Sequence, residues 1–472
     1  MTMKIDKSIK KIHLVAACGT GMGTLACILK EMGYEVSGSD QNVYPPMSDF
    51  LIENGINLFQ GYNISNLDHN PDLVIIGNAI TKDNVEAKSV LQRGIKYLSM
   101  PQAVNMFIAK DKKIILVTGT HGKTTTSSIM AHILHVAGMD PSFMIGGILK
   151  DFNSSFRIGN GEYMVIEGDE YDTAFFDKGP KFMHYDPDIT IITGIEFDHA
   201  DIFTGIDHIK HVFADFIKKT AKASHIIAFD DNDNLNQVIA DIDDSSPLSI
   251  EKYGRDAQWS FNAHKQKGSN TLFTVRIPGK PYPFETRMTG EHNLYNCLAC
   301  IAAACKIGIS YKVIFKALKT FSGIKRRQEV RGIKNKITIM DDFAHHPTAV
   351  RETINGIKPF YKNGKVIAVF EPRTNTSMRK FFQESYPDSF LGADMVCVCK
   401  PGVKKKIAKK DKFSTKQLVK DIEKKGVKAY HFENSHEIIS FLVPQLKPGD
   451  LVLIMSNGGF DNIHTNLLES IE

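Results

Sequence analysis

The sequence predicts an α/β protein of three domains. Three observations point there. Buried-strand runs alternate with helical runs along the chain, two of these strands lead directly into glycine-rich turns, and 472 residues are too many for one hydrophobic core. Strands separated by helices imply parallel sheets with right-handed crossovers.

The first block opens with the strand Ile12-His13-Leu14-Val15-Ala16-Ala17, then glycines and a helical stretch over 24–32. A second strand ends at Gly38-Ser39-Asp40, and Leu73-Val74-Ile75-Ile76-Gly77 is another. The second block starts with Ile114-Ile115-Leu116 and a helical pattern over 127–136, and continues through Tyr163-Met164-Val165-Ile166 and Ile189-Thr190-Ile191-Ile192-Thr193. A strand-and-turn portion spans 257–288 and a helix spans 293–307. The third block begins near Arg331, with strands at 337–340, 366–370, 395–398 and 451–455. The expected domains are therefore 1–108, 109–328 and 329–472, with junctions at 101–113 and 323–332.

Bulk properties exclude several classes. Apolar content of 42% and charged content of 24% are those of a globular protein. A net charge of +5 over this length argues against a nucleic-acid surface, and Lys404-Lys405-Lys406 and Lys409-Lys410 read as solvated faces. The polar start over 1–11 is no signal peptide and no apolar run could span a bilayer, so a cytoplasmic, membrane-free monomer is expected. Seven cysteines form no paired framework; Cys297 and Cys300 lie in an Ala-rich helical run and read as core thiols.

The most informative stretch is Val117-Thr118-Gly119-Thr120-His121-Gly122-Lys123-Thr124-Thr125-Thr126. A strand, a glycine turn and a helix N-terminus make a phosphate cradle, because backbone N–H groups and the helix dipole face the anion. Lys123 suits the outer phosphates of ATP and Thr124 suits magnesium. The spacing is two residues tighter than the usual Walker loop. A second turn, Gly19-Thr20-Gly21-Met22-Gly23, follows the first strand, with Ser39-Asp40 about twenty residues on. Either a redox dinucleotide or the diphosphate of a UDP-sugar fits it, as does a tight strand–helix connection with no ligand.

Acidic clusters follow two strands of the second block: Glu167-Gly168-Asp169-Glu170-Tyr171-Asp172 and Glu196-Phe197-Asp198-His199-Ala200-Asp201. Strand C-terminal ends are where α/β sheets bind ligands. Glu167 suits magnesium, whereas His199 is unusual for magnesium and acceptable to manganese. Gly290-Glu291-His292-Asn293-Leu294-Tyr295-Asn296 starts a helix, where His and Asn can cap it or meet a nucleotide. Lys325-Arg326-Arg327 marks a domain junction. Asp341-Asp342-Phe343-Ala344-His345-His346-Pro347 and Glu371-Pro372-Arg373-Thr374-Asn375-Thr376 follow strands of the third block, and Arg373 suits a substrate carboxylate.

Taken together and in this order, the motifs resemble the Mur ligase family, ATP-dependent ligases that join amino acids or peptides to UDP-N-acetylmuramoyl precursors. The resemblance covers essentially the whole chain. It implies a Rossmann-like UDP-sugar-binding domain, a P-loop ATPase domain and a C-terminal Rossmann-like domain. His121 and the 342–347 stretch resemble the branch that adds L-alanine. The stretches 42–48, 169–178, 197–203 and 371–376 look closer to the branch that adds L-Ala-γ-D-Glu-meso-diaminopimelate to UDP-N-acetylmuramate, and the second branch is the expectation. A carbamylated lysine found in several relatives is not expected, because Ala214 and Asp215 stand in that region.

The resemblance also implies roles. Lys123, Glu167, His199 and Arg327 would be catalytic, with Thr124, Glu167 and His199 holding Mg2+ or Mn2+. ATP, the co-substrate, would meet Gly119, Thr120, His121, Gly122, Lys123, Thr124, Thr125, His292, Asn293, Asn296, Asp341 and His345. The UDP-sugar would meet Gly19, Thr20, Gly21, Met22, Gly23, Ser39 and Asp40, and the peptide Arg373 and Asn375. A nicotinamide-dependent oxidoreductase is the rival from another class; it leaves the phosphate loop and acidic clusters unexplained.

Overall fold

Short Val- and Ile-rich runs are buried along their whole length because helices cover both faces of the sheets they form. The computed structural model describes residues 8–43, 47–198, 200, 202–220, 224–242, 249–262, 264–277, 280–374, 376–402, 407 and 411–471. His199, Asn375, Asp201 and the lysine clusters at 404–406 and 409–410 lie outside the described residues. Two compact units result. One comprises Met1–Glu196, Asp207–Ala257 and Ala299–Ala317; the other comprises Phe197–Ile206, Gln258–Leu298 and Leu318–Glu472.

The first unit holds two principal sheets. Strands β1 (Lys11–Val15), β2 (Glu35–Asp40), β3 (Asn57–Gln60), β4 (Leu73–Ile76) and β5 (Lys96–Ser99) are all parallel, in the order β3-β2-β1-β4-β5. The order reverses at β1, which places a crevice at the C-terminal ends of β1 and β4. The second sheet uses β6 (Lys113–Thr118), β7 (Ser142–Leu149), β8 (Ser154–Arg157) and β9 (Tyr163–Gly168). After the small hairpin β10 (Asp172–Ala174) and β11 (Asp177–Pro180), the sheet is completed by β12 (Ile189–Ile192), β13 (His225–Phe229) and β14 (Ile250–Tyr253). Its order is β14-β13-β12-β6-β9-β7-β8, with only β8 antiparallel to its neighbour. Register then positions both acidic clusters: Val117 pairs with Glu167 and Thr118 with Ile192, so each cluster starts beside the 119–122 glycine loop.

The second unit carries an antiparallel sheet of β15 (Ser260–Phe261), β16 (Lys265–Lys267), β17 (Asn270–Ile277) and β18 (Lys280–Thr286). It also carries a six-stranded sheet of β19 (Glu329–Lys334), β20 (Ile337–Asp342), β21 (Val366–Phe370), β22 (Met395–Cys399), β23 (Lys428–Phe432) and β24 (Leu451–Met455). Its order is β19-β20-β24-β21-β22-β23, with β19 antiparallel. One face buries Val366, Ala368 and Phe370, the other Ile367 and Val369, so alternate residues of β21 feed two cores. Among the described residues no helix is long and apolar enough to cross a membrane.

Two helices start earlier than their periodicity suggests. The first runs Thr20–Glu31, so Gly21 and Gly23 sit in its opening turn and not in a preceding loop. The helix after the 119–122 glycine loop is Lys123–Val136, four residues ahead of the expected start, and it buries Thr124, Thr125 and Thr126. Threonines read as loop in sequence because β-branching lowers helix propensity; here sheet burial overrides that. Cys297 and Cys300 are fully buried, as core thiols.

Behind β1 and β2 lies a buried polar network. Glu86, fully buried, accepts from Ser39 Oγ at 2.5 Å, Asn66 Nδ2 at 2.6 Å and Asn63 N at 3.0 Å, and lies 3.7 Å from His13 Nε2. Burial alone would raise the Glu86 carboxyl, but the nearby His13 imidazole and hydrogen bonds from Ser39, Asn66 and Asn63 outweigh it and hold the group below the ordinary range. A depressed carboxyl stabilises the fold above its unfolded pKa, and that stability is lost as pH falls through the folded value. Glu86→Gln is therefore expected to lose about 2 kcal/mol at neutral pH and to show a shallower decline toward pH 4 than the parent. Denaturant unfolding at both pH values checks this; a neutral variant at pH 7 would remove the account.

Candidate nucleotide and sugar-nucleotide sites

Gly119 has φ +120, a conformation that side chains resist, and a Cβ there would lie 2.5 Å from Thr193 Oγ1 and 2.8 Å from Gly194 O. Only glycine lets the loop pass so close to the segment after β12. Gly122 takes φ 78 at the N-cap of the helix that follows. The loop is pinned by Thr120, whose hydroxyl donates to Glu196 O at 3.1 Å and accepts from Glu196 N at 2.8 Å. His121 Nε2 lies 3.3 Å from Glu196 Oε2, and the Thr193 hydroxyl donates to His121 O at 2.5 Å.

Within this cradle Lys123 Nζ donates to Gly119 O at 2.6 Å, Thr120 O at 3.3 Å and Glu170 Oε2 at 2.6 Å. Burial works against its charge, but the carboxylates of Glu170, Asp169 and Glu167 outweigh burial and hold the ammonium above its ordinary value. Thr124 Oγ1 donates to Glu167 at 2.9 and 3.1 Å, and Gly146 N donates to Glu167 Oε2 at 2.7 Å. A hydroxyl and a carboxylate touching beside a lysine in a glycine loop are the hard oxygen donors a magnesium–phosphate pair takes. The structure thus brings together Gly119, Thr120, His121, Gly122, Lys123, Thr124 and Glu167. Thr125 is buried in the helix that the loop opens.

At the end of β1, Gly19 is the helix N-cap with φ −72, an ordinary extended conformation, so its value is not a left-handed turn. Gly23 serves packing: a Cβ there would lie 2.8 Å from Met47 Sδ and 3.3 Å from Ala17 O. Thr20, Gly21 and Met22 form the first turn, whose N–H groups belong to an anion-favouring helix end. Asp40 lies against this turn, accepting from Cys18 N at 2.9 Å and Asn42 N at 3.0 Å. Ser39 is fully buried and its hydroxyl points into the Glu86 network, unlike the solvent-facing hydroxyl its place beside Asp40 suggests. The alternation of a strand explains it, since Ser39 and Asp40 must face opposite sides.

In the second unit, Asn293 Nδ2 donates to Thr289 O at 2.8 Å and Asn296 Nδ2 to Asn293 Oδ1 at 3.1 Å. Gln328 links this helix start to the six-stranded sheet: its amide oxygen accepts from Thr289 Oγ1 at 2.8 Å and its N–H donates to Asp342 Oδ2 at 2.8 Å. His292 sits on the same turn, folded against Gly290. Arg327 stacks over Phe343, 4.5 Å from the ring centroid, and His345 Nδ1 lies 3.0 Å from Phe343 O. His292, Asn293, Asn296, Arg327 and His345 therefore belong to one neighbourhood.

The two arginines of the junction divide. Arg326 Nη2 donates to Ser456 O at 2.6 Å and Gly458 O at 2.7 Å, so its guanidinium clamps the loop after β24. Asp341, almost fully buried, lies 3.4 Å from Arg326 Nε and 3.3 Å from His464 Nε2, so its carboxylate is engaged within its own unit. Arg373 lies across Gly458, 3.7 Å from Glu371 Oε2, and Ser456 Oγ donates to Glu371 Oε2 at 2.6 Å. Sequence reasoning assigned no role to Glu170, Gln328 or the 456–458 loop. Glu170 lies inside the acidic cluster that the sequence marks, whereas Gln328 and the loop carry no chemical signal before folding.

Comparison with known proteins bears on these residues. The model of the Mur ligase family, catalytic domain, matches residues 11–112; that of the Mur ligase middle domain matches 117–304; and that of the Mur ligase, glutamate ligase domain, matches 326–458. A UDP-N-acetylmuramate–L-alanyl-γ-D-glutamyl-meso-2,6-diaminoheptandioate ligase from Escherichia coli is 38% identical over 98% of this chain and 98% of its own. A UDP-N-acetylmuramate–L-alanine ligase from Clostridium tetani is 32% identical over 97% of this chain and 98% of its own. Among solved structures, a murein peptide ligase from Psychrobacter arcticus is 34% identical, with a TM-score of 0.70 and coverage of 98% of each chain.

Proposed function

Since the chain belongs to the Mur ligase family, we propose that it joins the tripeptide L-Ala-γ-D-Glu-meso-diaminopimelate to UDP-N-acetylmuramate with consumption of ATP. The observation that carries an ATP-dependent step is the contact of Thr124 Oγ1 with Glu167 at 2.9 Å beside Lys123 in the glycine cradle. The choice of tripeptide over alanine is supported by the greater identity to the tripeptide-adding relative over nearly the full chain.

A carboxylate resists amines because its charge repels them and oxide is a poor leaving group. In the proposed sequence an oxygen of the lactyl carboxylate attacks the γ-phosphorus of ATP, ADP leaves, and an acyl phosphate forms. The tripeptide's free amine adds to the acyl carbon, loses a proton, and the tetrahedral intermediate expels phosphate to leave an amide. Phosphoryl transfer asks the protein mainly for positioning and charge neutralisation. Lys123 would neutralise the β/γ-phosphates, and the 119–122 backbone would cradle them. Thr124 and Glu167 fit magnesium, with His199 as the proposed further ligand; the metal would neutralise phosphate charge. Arg327 would face the transferring group, with His292, Asn293, Asn296 and His345 around the nucleotide and Arg373 and Asn375 toward the peptide carboxylates. The helix start at Thr20 and the Asp40 turn would receive the UDP-sugar.

The test supplies purified protein with UDP-N-acetylmuramate, ATP and magnesium, and either the tripeptide or L-alanine. Product with the tripeptide is expected at a kcat/KM at least about 100-fold higher, the order of discrimination a site built to bind extra charged groups provides. Preferential product with L-alanine would reverse the choice of amine substrate.

A further inference from the structure

The two glutamates of the acidic cluster beside the phosphate loop have different partners. Glu167 receives the Thr124 hydroxyl and the Gly146 amide. Glu170 instead receives the Lys123 ammonium at 2.6 Å, with side chains only 4% and 12% exposed. The three donors of that ammonium are matched by three acceptors: Gly119 O at 2.6 Å, Thr120 O at 3.3 Å and Glu170 Oε2 at 2.6 Å. Lysine is thus folded onto the loop that would carry the phosphates. A phosphate oxygen can take the ammonium only by exchanging with one of these acceptors, and the carboxylate is the one that carries charge.

We propose that Glu170 is a positioning residue that holds Lys123 against the glycine loop and exchanges it with incoming phosphates. This rests on the reading that residues 119–124 bind ATP. Two consequences oppose each other. Before binding, the carboxylate competes with phosphate for one ammonium and repels the anion, which weakens the ground-state complex. During the reaction the same carboxylate restrains a flexible four-carbon side chain to one position, which favours the transition state. Glu170→Gln keeps the shape and an amide oxygen while deleting the charge, so it separates the two consequences. A residue that served packing alone would weaken binding and turnover together.

Calorimetric titration with ADP in the presence of a chelator measures the competition. Glu170→Gln is expected to bind metal-free ADP at least about fivefold more tightly than the parent, while ligation kcat falls at least about tenfold and KM for ATP does not rise. Glu170→Asp, which retains the charge, is expected to stay within about twofold of the parent for ADP. An unchanged or weaker ADP affinity in Glu170→Gln, or equal tightening in Glu170→Asp, overturns the proposal. Should Glu170→Gln not fold, crystals of the parent with metal-free ADP decide: the Lys123–Glu170 contact is expected to open toward the β-phosphate, and its persistence overturns the proposal. Failure of the parent itself to bind ADP would instead sink the ATP reading.

Discussion

Lys123→Ala is expected to lower ligation kcat/KM by about 10³-fold or more while leaving UDP-N-acetylmuramate affinity within a few-fold of the parent. The ammonium lies within the 119–124 glycine loop, touching Gly119 O at 2.6 Å, where the proposed phosphates would sit. Neighbouring carboxylates keep it charged against burial, so it remains a full positive charge throughout the neutral range. No other side chain of the loop can replace a point charge on a flexible stem. The substitution also leaves Glu170 buried without this partner, so a loss of stability is expected beside the loss of activity. Lys123→Met, which keeps the stem, separates packing from charge, and thermal melting monitors both variants. Initial rates with saturating amine, and calorimetry with the UDP-sugar, read the two halves of the prediction. Near-normal turnover in either variant would refute the assignment.

The second large effect is expected for Glu167→Gln. The variant preserves the volume between Thr124 and Gly146 and removes one negative charge. If that carboxylate holds a divalent cation with the Thr124 hydroxyl, kcat should drop by about 10²- to 10³-fold and the magnesium concentration for half-maximal rate should rise about tenfold. A purely structural carboxylate, bridging the helix start to β7, would reduce melting temperature without moving the magnesium dependence. Rates at fixed ATP across a magnesium titration distinguish the two, and an unchanged half-maximal concentration withdraws Glu167 from the metal.

The geometry of the glycine loop is readable in one dimension because it is local. The stretch 117–126 carries strand, turn and helix start within ten residues, and glycine at 119 and 122 is dictated by backbone angles that few other residues adopt. Period and composition are enough for the alternation of strands and helices, although helices begin ahead of their apolar period where glycine and threonine sit in a buried first turn. Ser39 shows the limit. Beside Asp40 in sequence it looked equally exposed to a ligand, yet pleating sends its hydroxyl to Glu86, 47 residues away.

Fold class, the order of the three blocks, the glycine loop at 119–122 and the identity of the candidate acids were determined by the sequence alone, through periodicity and through glycine's backbone freedom. Tertiary structure alone decided that Glu170 faces lysine while Glu167 faces threonine, that Arg326 clamps the 456–458 loop while Arg327 stacks on Phe343, and that Asp341 turns inward. The reason is range. Conformation within a turn depends on residues a few positions apart, whereas the partner of a charged side chain depends on strand pairings and registers that join segments tens to more than a hundred residues apart.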